Sequence, residues 1–170
     1  MHRPALAATT LGAYIATIPA ANWSVQHYGL VSVGLGQLAP AGVYLVGIAL
    51  VLRDAARETA GRWPTAAAIL AGAALSYWLA TPALALASAA AFGLSEALDM
   101  AVYEPLRRRG FITAMAASNA AGLVADSLLF LWLAFGSLDH LTGQLLGKTW
   151  MTIAAVTAIA LWRRGRAVTA

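Results

Sequence analysis

The chain has 170 residues, a formal net charge of +4, 61% hydrophobic residues and only 11% charged ones, whereas a soluble domain carries about 25% charged residues. That balance excludes an ordinary soluble globular domain, and the length leaves no room for a soluble domain beside a membrane bundle. Cysteine is absent, which excludes thiolate catalysis, disulfides and cysteine-ligated metal.

The first apolar run follows Arg3 and extends over about residues 4–21. A short basic start and the small residues Pro19-Ala20-Ala21 also fit a cleaved signal peptide. Against cleavage, Ala8, Gly12, Ala16 and Ala20 form an unbroken ridge of small residues, the kind of surface that lets a second helix approach closely. Asn22 stands at the outer end of this run. A glycine-rich stretch, GLVSVGLGQ, follows and reads as a loop or re-entrant piece. The second span then covers about residues 38–52, with Pro40 suited to a first helical turn and Arg53-Asp54 at its inner end.

From Trp63 to Leu106 no basic residue occurs. This stretch is about 44 residues, or about 66 Å as a helix at about 1.5 Å per residue, whereas a bilayer core needs about 20 residues. It must fold back, and Thr81-Pro82 is the natural turn, giving spans over 63–80 and 82–106. The fifth span is 111–138 and the sixth 143–162. The expectation is therefore an all-α membrane protein, one six-helix transmembrane domain occupying residues 1–170.

Charge orients this bundle. Arg3, Arg53, Arg57, Arg62, Arg107, Arg108, Arg109, Arg163, Arg164 and Arg166 all fall on one side of the predicted membrane, and only Lys148 does not. Cytoplasmic loops collect Lys and Arg, so both termini are expected in the cytoplasm of a multi-pass cell-membrane protein. Short arginine clusters abutting apolar runs face anionic lipid, so nucleic acid is not the expected partner. Trp23, Tyr28, Trp63, Tyr77, Trp78, Trp150 and Trp162 lie near predicted span ends, where interfacial aromatics belong.

Acids inside a membrane cost about 2.5–3.5 kcal/mol each on insertion scales and call for a reason. In the fourth span Glu96, Asp99 and Tyr103 share one helical face; in the fifth Asn119, Gly122 and Asp126 repeat the spacing, flanked by Ser118 and Ser127. Two antiparallel helices thus carry polar stripes able to face each other across a water-accessible cavity. Carboxylates and an amide there suit a ligand rich in N–H donors, such as a purine-like base, because a carboxylate accepts two parallel N–H bonds. Tyr103, Tyr14 or Trp23 would stack on a flat ring. The alternative is that Glu96 is protonated, or that Asp99 and Asp126 only bond between helices. Asp54 either pairs with Arg53 or lines the inner exit, and Lys148 either pairs with an acid of the bundle or snorkels. Asn22, Asp54 and Lys148 are the candidates for gating or coupling. Glu104 belongs to the interface beside Arg107 and Arg108.

Catalytic motifs are missing. GQLLGKT at residues 143–149 has one residue too few between its glycines for a phosphate loop and no strand before it. There is no HExxH, and GLSEA around Ser95 lacks the second glycine of a nucleophile elbow. His27 and His140 are isolated, so neither metal nor cofactor is expected, and the chain reads as a non-enzyme.

Four segments, ANWSVQHYG, PAGVYLVGIALVLRDA, SEALDMAVYEPLRRR and SNAAGLVADSLLFLWLAFGS, resemble the queuosine-precursor transporters, or vitamin uptake transporter (VUT) family, over about residues 14–162. That family is similar to the six-helix substrate-binding components of energy-coupling-factor importers. The resemblance implies uptake of 7-deazaguanine bases for queuosine salvage in tRNA. Asp99, Ser118, Gly122 and Asp126 fall on positions that the family's motif fills with the same types, and Asp54 and Lys148 match as well. Glu96 and Asn119 stand where better-known members carry glutamine and threonine, so what is implied is the substrate class rather than one substrate. Two other readings stand beside import by this chain alone: a binding subunit for another vitamin or purine that needs a separate ATPase and coupling protein, and a small membrane enzyme using the acid stripes.

Overall fold

The computed structural model describes the backbone of residues 4–106, 108 and 110–168. It holds six helices and one hairpin: α1 (Pro4–Tyr28), β1 (Leu30–Gly34), β2 (Gln37–Pro40), α2 (Val43–Ala60), α3 (Arg62–Leu79), α4 (Pro82–Leu106), α5 (Phe111–Phe135) and α6 (Leu141–Val168). Arg3, Arg107 and Arg109, used above to orient the chain, lie outside the described residues. Among the described residues, three stretches are long and apolar enough to cross a membrane: α1, α4 and residues Ala117–Phe135 of α5.

The chief departure from an all-helical expectation lies between α1 and α2. Residues read above as a loop or re-entrant piece form an antiparallel hairpin, pairing Leu30 with Pro40, Val31 with Ala39 and Ser32 with Leu38. Alternating Val31 and Val33 favour a strand. The turn takes positive φ at Gly34, Leu35 and Gly36, a conformation that glycine supplies at two of the three positions without steric cost. One hairpin face is buried through Val33 and Ala39, which cluster with Val43 and Leu146. Tyr44 Oη donates to the Ser32 carbonyl at 2.6 Å and pins the hairpin to α2. As a result α2 starts at Val43 and runs on to Ala60, carrying Arg53, Asp54 and Arg57 inside a helix rather than in a loop after one.

The helices form a closed ring. α4 packs along α5, α3 joins α4 to α1, α1 packs on α2, and α2 packs on α6, while the α5–α6 seam is the thinnest. Missing side chains set the close approaches. A Cβ at Gly72 would lie 2.5 Å from Ile18 Cδ1, at the α1–α3 crossing. One at Gly47 would lie 2.6 Å from Met151 Cβ, at the α2–α6 crossing. One at Gly143 would overlap the Leu38 carbonyl, so α6 lies directly on the hairpin. At the centre, Tyr14, Ile18, Ala49, Ala68, Ile69 and Phe92 make the apolar core.

Candidate functional site

α4 and α5 bring their polar faces together, and the contact is made by a glycine. A Cβ at Gly122 would lie 3.6 Å from both the Asp99 Cβ and the Ser95 carbonyl oxygen. Small residues at this crossing let Asp99 and Ser118 be buried between the helices. Beside them opens a cavity of about 450 Å³. Its walls come from four helices: Arg53, Asp54, Arg57 and Glu58 of α2, Arg62 at the start of α3, Asp99, Met100, Tyr103 and Glu104 of α4, and Ser118 and Asn119 of α5. An apolar side pocket of about 160 Å³ shares Arg57, Arg62 and Met100 with it and adds Trp63, Ala66, Ile69 and Glu96.

Two arginines order the acids. Arg53 is buried, and its Nε and Nη2 donate to Asp54 Oδ1 at 3.0 and 2.9 Å. Its Nη1 lies 3.1 Å from Glu96 Oε2, close enough for an ion pair, although Oε2 makes no hydrogen bond among the described residues. Arg57 Nη1 donates to Glu96 Oε1 at 2.9 Å and lies 3.8 Å from Asp99 Oδ2. Glu96 is therefore held from both sides. Asp99 is not: its link to Arg57 is long, and Oδ1 is buried with no hydrogen-bond partner among the described residues. A buried carboxylate oxygen without a donor is costly, and the residue that carries it borders the cavity.

A second charged set lies further along α5. Lys148 Nζ donates to Asp126 Oδ2 at 2.5 Å and to Ser127 Oγ at 2.9 Å. Lys148 is 1% exposed and Asp126 3%, and neither lines the cavity. Asp126 follows Ser118 by eight residues, about 12 Å along the helix at about 1.5 Å per residue. Sharing a face with Asn119 did not bring Asp126 to the cavity that Asn119 lines, and Lys148 of α6 claims its carboxylate.

The remaining candidates distribute as follows. Tyr103, Ser118, Asn119 and Asp54 border the cavity with Asp99, and Asp54 also pairs with Arg53. Glu96 stands behind it, neutralised by arginine. Asn22 is buried and accepts from Ser88 Oγ at 2.7 Å. Tyr14 sits fully buried in the core, not at a mouth. Trp23 is exposed near the C-terminal end of α1, stacked on His27 at 4.0 Å. At the other end of the same helix, Thr10 bonds Thr59, near the end of α2. Of these three aromatic candidates, Tyr103 is the one that lines the cavity. Sequence reasoning left Arg53 and Arg57 out of the candidate site, reading both as topology markers and Arg53 also as a candidate partner of Asp54. The available signal was their i, i+4 spacing, which puts two cations on one helix face opposite the i, i+3 acids Glu96 and Asp99. Among the described residues no group of three or more His, Asp or Glu side chains is placed to hold a metal ion.

The family model described as "Putative vitamin uptake transporter" matches residues 75–162, just over half of the chain. The chain belongs to this family. Membership makes it a membrane protein whose work is small-molecule transport. The matched stretch includes Asp99, Ser118, Asn119, Asp126 and Lys148 and leaves out the α2 arginines. No curated protein and no solved structure matches the chain.

Proposed function

We propose that this family member imports 7-deazaguanine bases, the precursors of queuosine, across the cell membrane. In this reading all six helices cross the bilayer, both termini are cytoplasmic, and the cavity opens at the arginine-rich cytoplasmic end. The observation that carries it is the cavity beside Asp99, a buried carboxylate with an unpartnered oxygen flanked by Ser118, Asn119 and Tyr103. Its volume of about 450 Å³ suits a bicyclic base. Asp99 accepts N–H groups of the base, Tyr103 covers its ring, and Ser118 and Asn119 bond its edge. Glu96 positions Arg57, and the Asp126–Lys148 pair holds α5 to α6.

The test is queuosine in tRNA of cells that neither make nor import the precursor, expressing this chain at low external precursor. Restored queuosine, lost with Asp99→Asn at unchanged membrane level, supports the reading. No restoration by correctly inserted protein, with or without an energising partner supplied, contradicts it.

A second reading makes the chain the substrate-binding subunit of an importer powered by a separate ATPase and coupling protein. What favours it is that Ala8, Gly12 and Ala16 of α1 are exposed, and a Cβ at Gly12 would meet nothing within 4 Å. That leaves a smooth helix face open to a partner helix. Co-purification from the native host separates the two readings: transport by the isolated chain excludes the second.

A further inference from the structure

We infer that Arg57 and Asp99 together read a lactam edge, a ring carbonyl next to a ring N–H, and that Arg57 is the specificity residue for the carbonyl. This deepens the site proposed above and rests on the cavity being the substrate site.

The two arginines differ in the donors they have left. Arg53 is committed, with Nε and Nη2 on Asp54 and Nη1 beside Glu96. Arg57 is not. Only its Nη1 is engaged, by Glu96 at 2.9 Å and at longer range by Asp99 at 3.8 Å, while Nε and Nη2 bond nothing among the described residues. A guanidinium has five N–H donors, so several remain. Its side chain is one-third exposed and lines the cavity, so those donors are within a ligand's reach. Glu96 fixes where they stand.

Asp99 supplies the opposite half. It is 6% exposed and lines the cavity, and one carboxylate oxygen has no partner. The two groups are neighbours, with Arg57 Nη1 and Asp99 Oδ2 3.8 Å apart. A cationic donor beside an anionic acceptor is complementary to a ligand edge that presents an acceptor beside a donor. A ring lactam does this without net charge. An aminopyrimidine edge of the same size, with an exocyclic amino group next to an unprotonated ring nitrogen, presents the reverse and leaves both protein groups unpaired. Sites that hydrogen-bond a polar group reject analogues lacking it far more strongly than apolar pockets do. A free carboxylate or phosphate ligand fits less well, because the Asp99 carboxylate borders the same cavity and repels it.

The experiment measures Kd on the purified full chain in lipid nanodiscs with two matched pairs of probes. One pair is 7-deazaguanine and 2,6-diamino-7-deazapurine; the other is pterin and 2,4-diaminopteridine. Within each pair only the lactam edge is exchanged for an aminopyrimidine edge. The wild type is expected to prefer the lactam member by about a hundredfold. Arg57→Gln, whose amide can turn to accept from an amino group, is expected to reduce that preference by about tenfold while changing affinity for the diamino member little. Arg57→Lys keeps the charge beside Glu96 and one donor, and is expected to retain part of the preference. It also provides a folded comparison if the glutamine variant is not recovered.

An Arg57→Gln variant that weakens both members of a pair equally shows a structural role and overturns the inference. So does equal wild-type affinity within both pairs, although binding of 7-deazaguanine would then leave the proposed transport function standing. An Arg57-dependent preference in the pteridine pair with no binding of either deazapurine supports the lactam edge and overturns the 7-deazaguanine assignment. Absence of binding by all four probes overturns both.

Discussion

Two sets of opposite charges, one buried and one partly buried, sit on α5 or beside it, and they differ in what remains unsatisfied. The Asp126–Lys148–Ser127 set is closed: the ammonium meets a carboxylate and a hydroxyl, all three groups are buried, and none of them lines the cavity of about 450 Å³. The Arg53–Arg57–Glu96–Asp99 set is open: among the described residues Asp99 Oδ1 and Glu96 Oε2 accept no hydrogen bond, Arg57 keeps guanidinium donors without partners, and the cavity borders Arg53, Arg57 and Asp99. Burial and charge alone, the features that mark an intramembrane residue as functional, do not tell these sets apart. Leftover hydrogen-bonding capacity does. A closed pair stabilises one arrangement of helices, whereas an open one has something to give a ligand.

The sharpest way to break that contrast is to remove one partner of the closed pair. Lys148→Met leaves Asp126 buried and uncompensated, and is expected to lower stability by about 3–5 kcal/mol, read as a loss of unfolding temperature in detergent. Adding Asp126→Leu should recover most of the loss, since an apolar pair of similar volume replaces a buried ion pair at little cost. If the single variant is as stable as the wild type, the pair is not closed in the sense described.

Asp99→Asn works in the opposite direction. It is expected to cut base affinity and uptake by about tenfold or more, through loss of charge-assisted bonds. Stability should fall by less than about 1 kcal/mol, because only one 3.8 Å contact is lost. Equal damage to stability and uptake would place Asp99 with the closed set.

Gly143→Ala tests whether the hairpin fixes the α6 face that presents Lys148. The new methyl overlaps the Leu38 carbonyl, and an overpacked contact costs about 1–3 kcal/mol. Base affinity should be unchanged in the folded fraction, measured by ligand titration of the purified variant. The smallest effect is expected from Asp54→Asn. Asp54 bonds Arg53, but its side chain is 53% exposed, so unfolding stability should shift by less than about 1 kcal/mol, and less still at high salt.

Much of the architecture was readable in the chain. Apolar run length and the break at Ala80-Thr81, with Pro82 opening α4, give helices over 62–79 and 82–106 close to the expected limits. The hairpin was not readable with certainty, because GLVSVGLGQ offers glycine turns and β-branched residues in a chain otherwise dominated by helix signals. Its strand character is decided by packing of Val33 and Ala39 on α6, over a hundred residues away. At the candidate site, helical spacing put Asp99 and Tyr103 on one face, and both border the cavity. Spacing places residues around a helix axis, but it does not say which neighbouring helix claims each one. Asp126 went to Lys148, and Glu96 went to Arg53 and Arg57, through contacts between helices far apart in sequence.

The most direct measurement compares 7-deazaguanine affinity of Asp99→Asn with that of the double variant Asp126→Leu/Lys148→Met, both purified in the same nanodiscs. The account predicts about a tenfold or greater loss for Asp99→Asn and near wild-type affinity for the folded double variant. Intact binding by Asp99→Asn, with binding lost in the double variant, would contradict it and move the substrate site to the α5–α6 seam.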